Sequence, residues 1–426
     1  MSHAISLAPR PGRLRTITPP PPILDWTREM ASLEEAGPEL AVAFWRVLRK
    51  VRAWAETPPE GRAGLFAINK KEACERLGAA CGLAPALVEA FGTFSVLVRA
   101  PGRVDARQLA EACHQVHEWA EERSLIEVAM LFAEAAAFAD PDDPAWANDA
   151  GRMCRRAAKD ERASSWYHRG YGLGARFDTQ EEVIRAQIGY GNLMKDLGQH
   201  DEAKRFLERA ARRATYTGRK RQAGEAHHDL LAIAAEVGTY SDVERHVRRA
   251  LNLYPTHHPR LPALAHDWAF FLVRSHFFTP AICLLEIVVP RAHNPELKTL
   301  FESTLARAVA GSGKRDRFGE IEESLRARIR PQEEFAPAAL VHLADSARSF
   351  GEWDRAYDYA LQAVEIAQAR KDGGAERVAS NLLCLIADKQ QPPIEEKSPH
   401  QDKMEALLRR FDARLRKWDT SGRKTA

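Results

Sequence analysis

A glycine turn between two apolar helical patterns recurs through the middle and C-terminal parts of this 426-residue chain. The clearest copies span 197–203, 237–243 and 350–356. In each copy one apolar helical pattern ends, the chain turns on a glycine, and a second helix begins at a small or apolar residue. Because repetition of this kind is typical of stacked helix pairs, it constrains the fold more than any other feature. We therefore predict an all-α chain that forms a right-handed helical solenoid.

Seven positions at the start of the second helix of each pair are equivalent, and successive positions are 34 to 40 residues apart. They are Ala129, Ala163, Ala203, Val243, Ala281, Phe318 and Ala356. A helix pair cannot bury its apolar face alone, so each pair is expected to stack on the next and build a continuous core. Two of the repeats are degenerate, since His276 replaces the turn glycine in one and Phe318 replaces the small residue in another.

The repeat resembles the tetratricopeptide repeat (TPR) family. The residues that carry the resemblance in the repeat at 184–215 are Gly191, Gly198, Ala203 and Ala210, with Leu207 as the bulky member. Those in the last repeat are Ala344, Gly351, Ala356 and Ala363. The resemblance covers about two thirds of the chain and implies a scaffold that binds proteins or peptides in a concave groove.

Helical periodicity and the positions of prolines that interrupt it divide the chain into six predicted segments. They are a flexible basic, proline-rich arm (1–24), a non-repeat helical domain (25–104), the TPR-like superhelix with its capping helix (105–390), a linker (391–403), an amphipathic helix (404–418) and a flexible tail (419–426). The apolar stripe of the amphipathic helix, which includes Met404, Leu407 and Phe411, is expected to dock on the solenoid. Binding to a partner or a membrane surface is the alternative for that stripe.

The charge balance does not indicate nucleic-acid binding, because 62 Lys and Arg residues nearly offset 59 Asp and Glu residues. The six cysteines form no CxxC pair, which favours buried free thiols over a zinc site. We predict no metal and no cofactor. The chain shows neither the apolar run that a membrane span needs nor a signal peptide, so we expect a cytoplasmic protein.

The first helix of each pair is predicted to line the groove, with the side chains near its small residue facing a ligand. The predicted groove residues are Arg152, Arg155, Asn192, Lys195, His228, Asp229, His266, Asp267, Phe270, Arg274, Arg307, His342 and Arg348. Asp345 lies between His342 and Arg348 on the same predicted helix. A groove rich in arginine suits a protein or peptide that is acidic or has a free carboxylate, because arginine offers fixed bidentate donors. A generic charged surface is the alternative interpretation.

The dipeptides at 228–229 and 266–267, both His-Asp, occupy matching positions in neighbouring repeats, so stacking would bring them close together. Histidine beside carboxylate is a pattern that could bind a metal or act as a general acid and base. A hydrogen bond across the stack is the simpler interpretation, and we predict no catalytic residue and no enzyme activity.

The segment at 70–92 fits the spacing of a helix-turn-helix, with Gly78, Gly82 and Val88 among the residues that carry the pattern. Joined to TPR-like repeats, it would resemble bacterial transcription regulators that sense peptides, and this is the alternative function. The second helix offers no Arg, Lys, Asn or Gln between 84 and 92 to contact bases or phosphates. We therefore predict a non-catalytic scaffold for protein–protein interaction. We do not expect this segment to bind DNA.

Overall fold

The structure is a computed structural model that describes residues 17–22, 30–67, 70–292, 294–331, 333–370, 373–392 and 400–422. Residues 1–16, 23 and 24 of the predicted arm, residues 393–399 of the predicted linker and residues 423–426 of the predicted tail lie outside this part. The chain divides into two compact units, residues 1–222 and residues 223–426. The boundaries of the six predicted segments stay predictions.

The described residues of the first unit form helices and no strands. The α-helices are α1 (Met30–Leu33), α2 (Pro38–Glu56), α3 (Lys70–Leu83), α4 (Val88–Arg99), α5 (Ala106–Glu121), α6 (Ile126–Ala139), α7 (Pro144–Arg156), α8 (Asp160–Arg176), α9 (Gln180–Asp196) and α10 (His200–Tyr216). Short 3-10 turns lie at Glu34–Ala36, Pro59–Gly64, Pro85–Leu87 and Pro101–Arg103.

The described residues of the second unit are also helical and without strands. Its α-helices are α11 (Lys220–Val237, in this unit from Ala223 onward), α12 (Tyr240–Leu253), α13 (Leu261–Arg274), α14 (Phe278–Val288), α15 (Pro295–Gly311), α16 (Arg315–Arg328), α17 (Ala336–Ser349), α18 (Trp353–Ala369), α19 (Gly373–Ala387) and α20 (Gln401–Gly422). One 3-10 turn lies at Val289–Arg291. The two helices of a pair pack against each other in each unit, as α7 and α8 do in the first and α17 and α18 in the second, which confirms the all-α fold of TPR-like helix pairs.

The seven equivalent small or apolar residues have the same place in the structure. Each is the fourth residue of the second helix of its pair, as Ala203 is in α10 and Phe318 in α16. All seven side chains are buried. The close approach of paired helices is visible at Gly191 of the first helix α9, where an added Cβ would lie 2.8 Å from Cγ of Leu207 in α10. A small residue at this point therefore sets the distance between the paired helices.

The turn residue lies five positions before each of these seven residues, and at six of the seven turns it has a positive φ. These six are Ser124, Ala158, Gly198, His276, Gly313 and Gly351. Only three are glycines, so the left-handed conformation persists where the sequence departs from the pattern. A non-glycine residue in this region costs about 1–2 kcal/mol. His276, with a φ of 60°, thus makes the same turn as the glycines, at a conformational cost.

The helices at the start of the first unit share an aromatic core with the first repeat pair. The ring of Phe44 in α2 lies 5.1 Å from that of Phe132 in α6 and 5.8 Å from that of Trp119 in α5. Glu35 accepts a hydrogen bond from the backbone N–H of Val128 at 2.9 Å, at the start of α6. These contacts join the non-repeat helices to the repeat array.

Residues 17–22 lie along α8. Arg169 donates a hydrogen bond to the carbonyl of Thr18 at 3.0 Å, and Arg162 donates one to the carbonyl of Pro22 at 2.9 Å. An added Cβ at Gly172 would lie 3.6 Å from Cα of Ile17, which is an ordinary van der Waals distance, so the segment packs directly over this part of α8.

Helix α20 packs on α13 and α14 in the second unit. Its apolar stripe is buried, and the ring of Phe411 stacks on that of Trp268 with the centroids 5.5 Å apart. Arg414 donates a hydrogen bond to the carbonyl of Tyr254 at 2.6 Å. The helix is longer at both ends than the predicted 404–418.

The cysteines are free, as the sequence predicts, but four of the six are not buried, and Cys74 and Cys81 are half-buried. Cys283 and Cys384 are exposed, because each lies on the solvent side of its helix. Among the described residues, no helix is both long and apolar enough to cross a bilayer.

Candidate binding surface on the first helices

The predicted groove residues all lie on the first helices of the pairs. In the first unit, Arg152 and Arg155 are on α7, and Asn192 and Lys195 are on α9; we call these four residues the α7–α9 strip. In the second unit, the predicted residues are on four helices, and we call them the α11–α17 strip. They are His228 and Asp229 (α11), His266, Asp267, Phe270 and Arg274 (α13), Arg307 (α15), and His342 and Arg348 (α17).

Arg152 is fixed by contacts with α5. Its guanidinium donates to Glu121 Oε2 at 2.8 Å and to Nε2 of the buried His117 at 3.2 Å, and Arg156 donates to Glu121 Oε1 at 2.7 Å. Although burial would raise the pKa of Glu121, the hydrogen bond and charge of Arg152 lower it to about 2. Burial and the charge of Arg152 lower the pKa of His117 to about 4. A neutral His117 can therefore accept from Arg152 while its Nδ1 donates to the carbonyl of Ala129, 3.2 Å away.

Arg155 and Lys195 meet at one carboxylate. Arg155 donates to Asp196 Oδ2 at 2.5 Å, and Lys195 Nζ lies 3.6 Å from Asp196 Oδ1. Burial works against the charge of Arg155, but Tyr167 and Asp196 together raise its pKa. The side chains of Arg152, Arg155 and Lys195 keep 36%, 23% and 27% of their surface exposed. All three cations are thus ordered and still reachable from solvent.

The sequence analysis missed the carboxylates that order this strip. Glu121, Asp149 and Asp196 each contact an arginine of a neighbouring first helix, and Asp149 accepts from Arg185 at 2.8 Å. These partners are 31 to 41 residues apart in sequence. A spacing near one repeat between opposite charges is the signal that could have found them, because it places both on successive first helices.

The two His-Asp dipeptides come together in the second unit. His228 donates from Nε2 to Asp267 Oδ2 at 3.0 Å, and His266 donates from Nδ1 to Asp267 Oδ1 at 3.2 Å. The remaining ring nitrogens are also bonded, that of His228 to the Tyr254 hydroxyl at 2.9 Å and that of His266 to the Thr304 hydroxyl at 3.0 Å. Burial would raise the pKa of Asp267, but these two histidines hold it below its ordinary value.

The C-terminal part of the α11–α17 strip is an ion-pair cluster. Arg307 lies 2.7 Å from Asp345 Oδ2, and Arg348 donates from Nε to Asp345 Oδ1 at 2.9 Å. His342 is buried, with Nδ1 3.0 Å from the Ser303 hydroxyl. Burial and the charge of Arg307 lower the pKa of His342 to about 3, so this ring is neutral at pH 7.

The members of this strip differ in their exposure. His228, Asp229, His266, His342 and Arg348 are buried, and Asp229 pairs with Arg260 at 2.7 Å. Most of these residues therefore hold successive first helices together. Four members remain at least partly exposed, namely Asp267, Phe270, Arg274 and Arg307. Arg274 donates to the carbonyl of Ala235 at 3.2 Å.

Histidine and carboxylate do not form a metal cage in the described part of the chain, where no group of three or more His, Cys, Asp or Glu side chains is placed to hold an ion. The hydrogen bonds between the repeats account for the recurring His-Asp pattern. The predictions of no metal, no cofactor and no enzyme activity stay predictions.

The predicted helix-turn-helix segment consists of α3, a 3-10 turn and α4. The exposed residues in the first half of α4 are Val88, Glu89 and Gly92, which include no cation. A surface of this kind lacks the groups that hold DNA phosphates. The regulator function, which depends on DNA binding by this segment, stays the alternative prediction.

The fold and the strips together define an all-α protein of TPR-like helix pairs whose first helices are connected by ion pairs and hydrogen bonds. No protein-family model matches the sequence, and no curated protein matches it. Among solved structures, one similar chain is a Rap protein complexed with Competence and Sporulation Factor, at 10% identity and a TM-score of 0.37, covering 83% of this chain and 99% of that chain. Another is the TPR domain of P58(IPK), at 14% identity and a TM-score of 0.22, covering 80% and 99%.

Proposed function

We propose that this protein is a non-catalytic scaffold that binds a protein or peptide segment on its first helices, with the α7–α9 strip as the main contact surface. The preferred ligand is acidic or ends in a free carboxylate. The observation that carries this proposal is that Arg152, Arg155 and Lys195 are held in place by carboxylates while remaining partly exposed. Cations that are already ordered lose little conformational entropy when a ligand binds.

The existing ion pairs leave donors for a ligand. A guanidinium has five N–H donors, and the hydrogen bonds of Arg155 to Asp196 and Tyr167 use only part of this capacity. Asp196 and Glu121 also lower the local net charge, so the strip should discriminate by geometry more than by long-range attraction. This arrangement favours a ligand carboxylate that reaches two cations at once over a diffuse polyanion.

The absence of chemistry is supported by the hydrogen bonds of the His-Asp pairs. Both ring nitrogens of His228 and both of His266 are bonded within the protein. A general base needs a ring nitrogen within reach of a substrate proton, and a metal ligand needs a free lone pair. These two histidines offer neither while the network is intact.

The proposal is tested with an array of 12-residue peptides that have free C-terminal carboxylates, probed with the full-length protein. The site variant is Arg152→Gln with Lys195→Gln. The matched control is Lys204→Gln with Arg205→Gln, which removes the same charge from exposed positions on α10 of the same unit. Glu121 keeps Arg156 as a partner in the site variant, so the variant is expected to fold.

We expect the wild-type protein to select acidic or carboxylate-ended peptides, the control to select the same peptides, and the site variant to lose them. Loss of one charge-assisted hydrogen bond corresponds to about a tenfold or larger fall in affinity. The proposal fails if no peptide binds above background, or if the folded site variant binds the same peptides as tightly as the control.

A further inference from the structure

A cavity of about 520 Å³ lies between α2, α3 and α4 in the first unit. Its walls are mainly apolar side chains of all three helices, including Val42, Val47, Leu77, Leu83, Phe94 and Leu97. The volume is within the range of about 300–1,000 Å³ that small-molecule sites occupy. This cavity is separate from the α7–α9 strip, and the proposed scaffold function does not use it.

Two large apolar side chains on the cavity wall are open to solvent. Val42 is 37% exposed and Leu83 is 50% exposed, although both belong to helices with buried apolar faces. Burial of such side chains by a ligand is favourable, at about 25 cal/mol for each Å² removed from water. The apolar wall therefore has surface that an apolar ligand would cover.

The charged lining of the cavity is mostly positive. Arg46 and Lys50 of α2 and Arg76 of α3 line it, and Glu39 is the acidic residue among the lining side chains. Among the described residues, Arg46 and Lys50 form no ion pair, whereas Arg76 pairs with Glu72. Arg46, Lys50 and Arg76 also line an adjoining cavity of about 440 Å³. Positive charge is thus concentrated on one side of an apolar space.

Lys50 contacts an aromatic ring beside this space. Its Nζ lies 4.4 Å from the centre of the Phe66 ring. Burial and the charge of Arg49 lower the pKa of Lys50, which means that its ammonium group lacks a full complement of water or counter-charge. An anion beside Lys50 would relieve both effects.

The walls also indicate what the apolar body of the ligand is. They are built from α-helices, whose backbone N–H and C=O groups are bonded within each helix. An extended peptide placed here would lose hydrogen bonds to water without gaining backbone partners. An aliphatic chain has no such groups along its length and loses nothing.

We propose that this cavity binds an amphipathic anion made of one aliphatic chain and one carboxylate, with the chain among Val42, Leu77 and Leu83 and the carboxylate beside Arg46 and Lys50. Charge and apolar surface then both find a partner in a single ligand. The proposal concerns a site in addition to the peptide-binding strip.

The test is isothermal titration calorimetry of the full-length protein with sodium dodecanoate below its critical micelle concentration. Dodecanol and dodecyltrimethylammonium have the same chain with neutral and positive heads. We expect saturable binding of one dodecanoate per protein, with both analogues about tenfold weaker or more, since a hydrogen bond to a charged group is lost. The absence of saturable dodecanoate binding, or equal binding of the three compounds, overturns the proposal.

Two variants locate the site. Arg46→Gln with Lys50→Gln should weaken dodecanoate binding about tenfold or more and leave dodecanol binding unchanged. Lys71→Gln with Arg103→Gln removes the same charge from exposed residues outside the cavity and should change neither. Ala73→Phe fills the space and should abolish binding of both compounds, with circular dichroism as the check on its folding. If the control weakens dodecanoate binding as much as the double variant in the cavity, the proposed site is wrong.

Discussion

His228 Nε2 lies 3.0 Å from Asp267 Oδ2, and this hydrogen bond joins α11 to α13 across two successive repeats. Asp267 accepts a second bond from His266 on its own helix. The carboxylate is therefore the centre of a chain of contacts that continues through Thr304 to α15. The recurring His-Asp pattern is explained by the way the repeats stack.

Replacing Asp267 should destabilise the second unit. Asp267→Ala leaves the N–H groups of two buried histidines without their acceptor, and we expect a loss of about 1–3 kcal/mol in the free energy of unfolding. Asp267→Asn should cost less, because its amide oxygen can still accept one bond. Urea denaturation measures both. Asp358→Asn, at an exposed position on α18, is the control and should change stability by less than about 0.5 kcal/mol.

Lowering the pH should destabilise the protein already at pH values higher than those at which its carboxylates titrate. Burial lowers the pKa of His342 to about 3 and, with nearby arginines, that of His227 to about 4, from an ordinary value of 6.5. The unfolded chain binds these protons near pH 6.5 and the folded chain does not, so stability is full above pH 6.5 and falls as the pH drops below it. Urea denaturation from pH 7.5 to pH 4.5 measures this fall.

His342→Asn should flatten part of that pH dependence, because it removes one of the groups that take up a proton on unfolding. Glu121 does not contribute in this window, since its contribution is lost only as the pH falls below the ordinary carboxyl value of 4.5. Stability that is constant between pH 7 and pH 5 would contradict the assignment of neutral buried histidines.

The turn between α7 and α8 offers a stabilising substitution. Ala158 has a φ of 53°, a conformation that costs a residue with a Cβ about 1–2 kcal/mol. Ala158→Gly should therefore raise the free energy of unfolding by about 1 kcal/mol. Ala157→Gly, one residue earlier at a φ of −84°, should lower it by about 0.4–1 kcal/mol. A lower melting temperature for Ala158→Gly would show that the turn is not strained.

The buried carboxylate of Glu134 should be important for the first unit. Its Oε1 accepts from Arg162 at 2.6 Å and from Trp166 at 2.7 Å, and the side chain is fully buried. We expect Glu134→Ala to cost about 3–5 kcal/mol, because the Arg162 charge loses its partner. Glu134→Leu with Arg162→Leu should cost much less than Glu134→Ala. Equal losses in the two proteins, measured by urea denaturation, would contradict this account.

The repeat was predictable because it depends on short-range rules. A small residue at a helix contact and a turn five residues earlier are visible in the sequence at Gly198 and Ala203. The same turn at His276 was not predictable from its residue type, since tertiary packing holds it in a conformation that histidine does not favour.

The roles of the groove residues were harder to predict. The sequence placed His228 and Arg348 on first helices, but it could not show that neighbouring repeats bury them. That burial depends on contacts such as Arg307 with Asp345, which are made between helices far apart in sequence. The cavity beside Arg46 and Lys50 was missed because it is formed by three helices together, and no single helix has its pattern.

The most direct test of the proposed scaffold function compares one selected peptide in two forms, with a free C-terminal carboxylate and with an amide. Fluorescence anisotropy gives the dissociation constant of each form for the wild-type protein, for the Arg152→Gln, Lys195→Gln variant and for the Lys204→Gln, Arg205→Gln control. We predict that the wild type and the control prefer the carboxylate by about tenfold, and that this preference falls toward one in the site variant. A preference that is the same in all three proteins would contradict recognition by the α7–α9 strip.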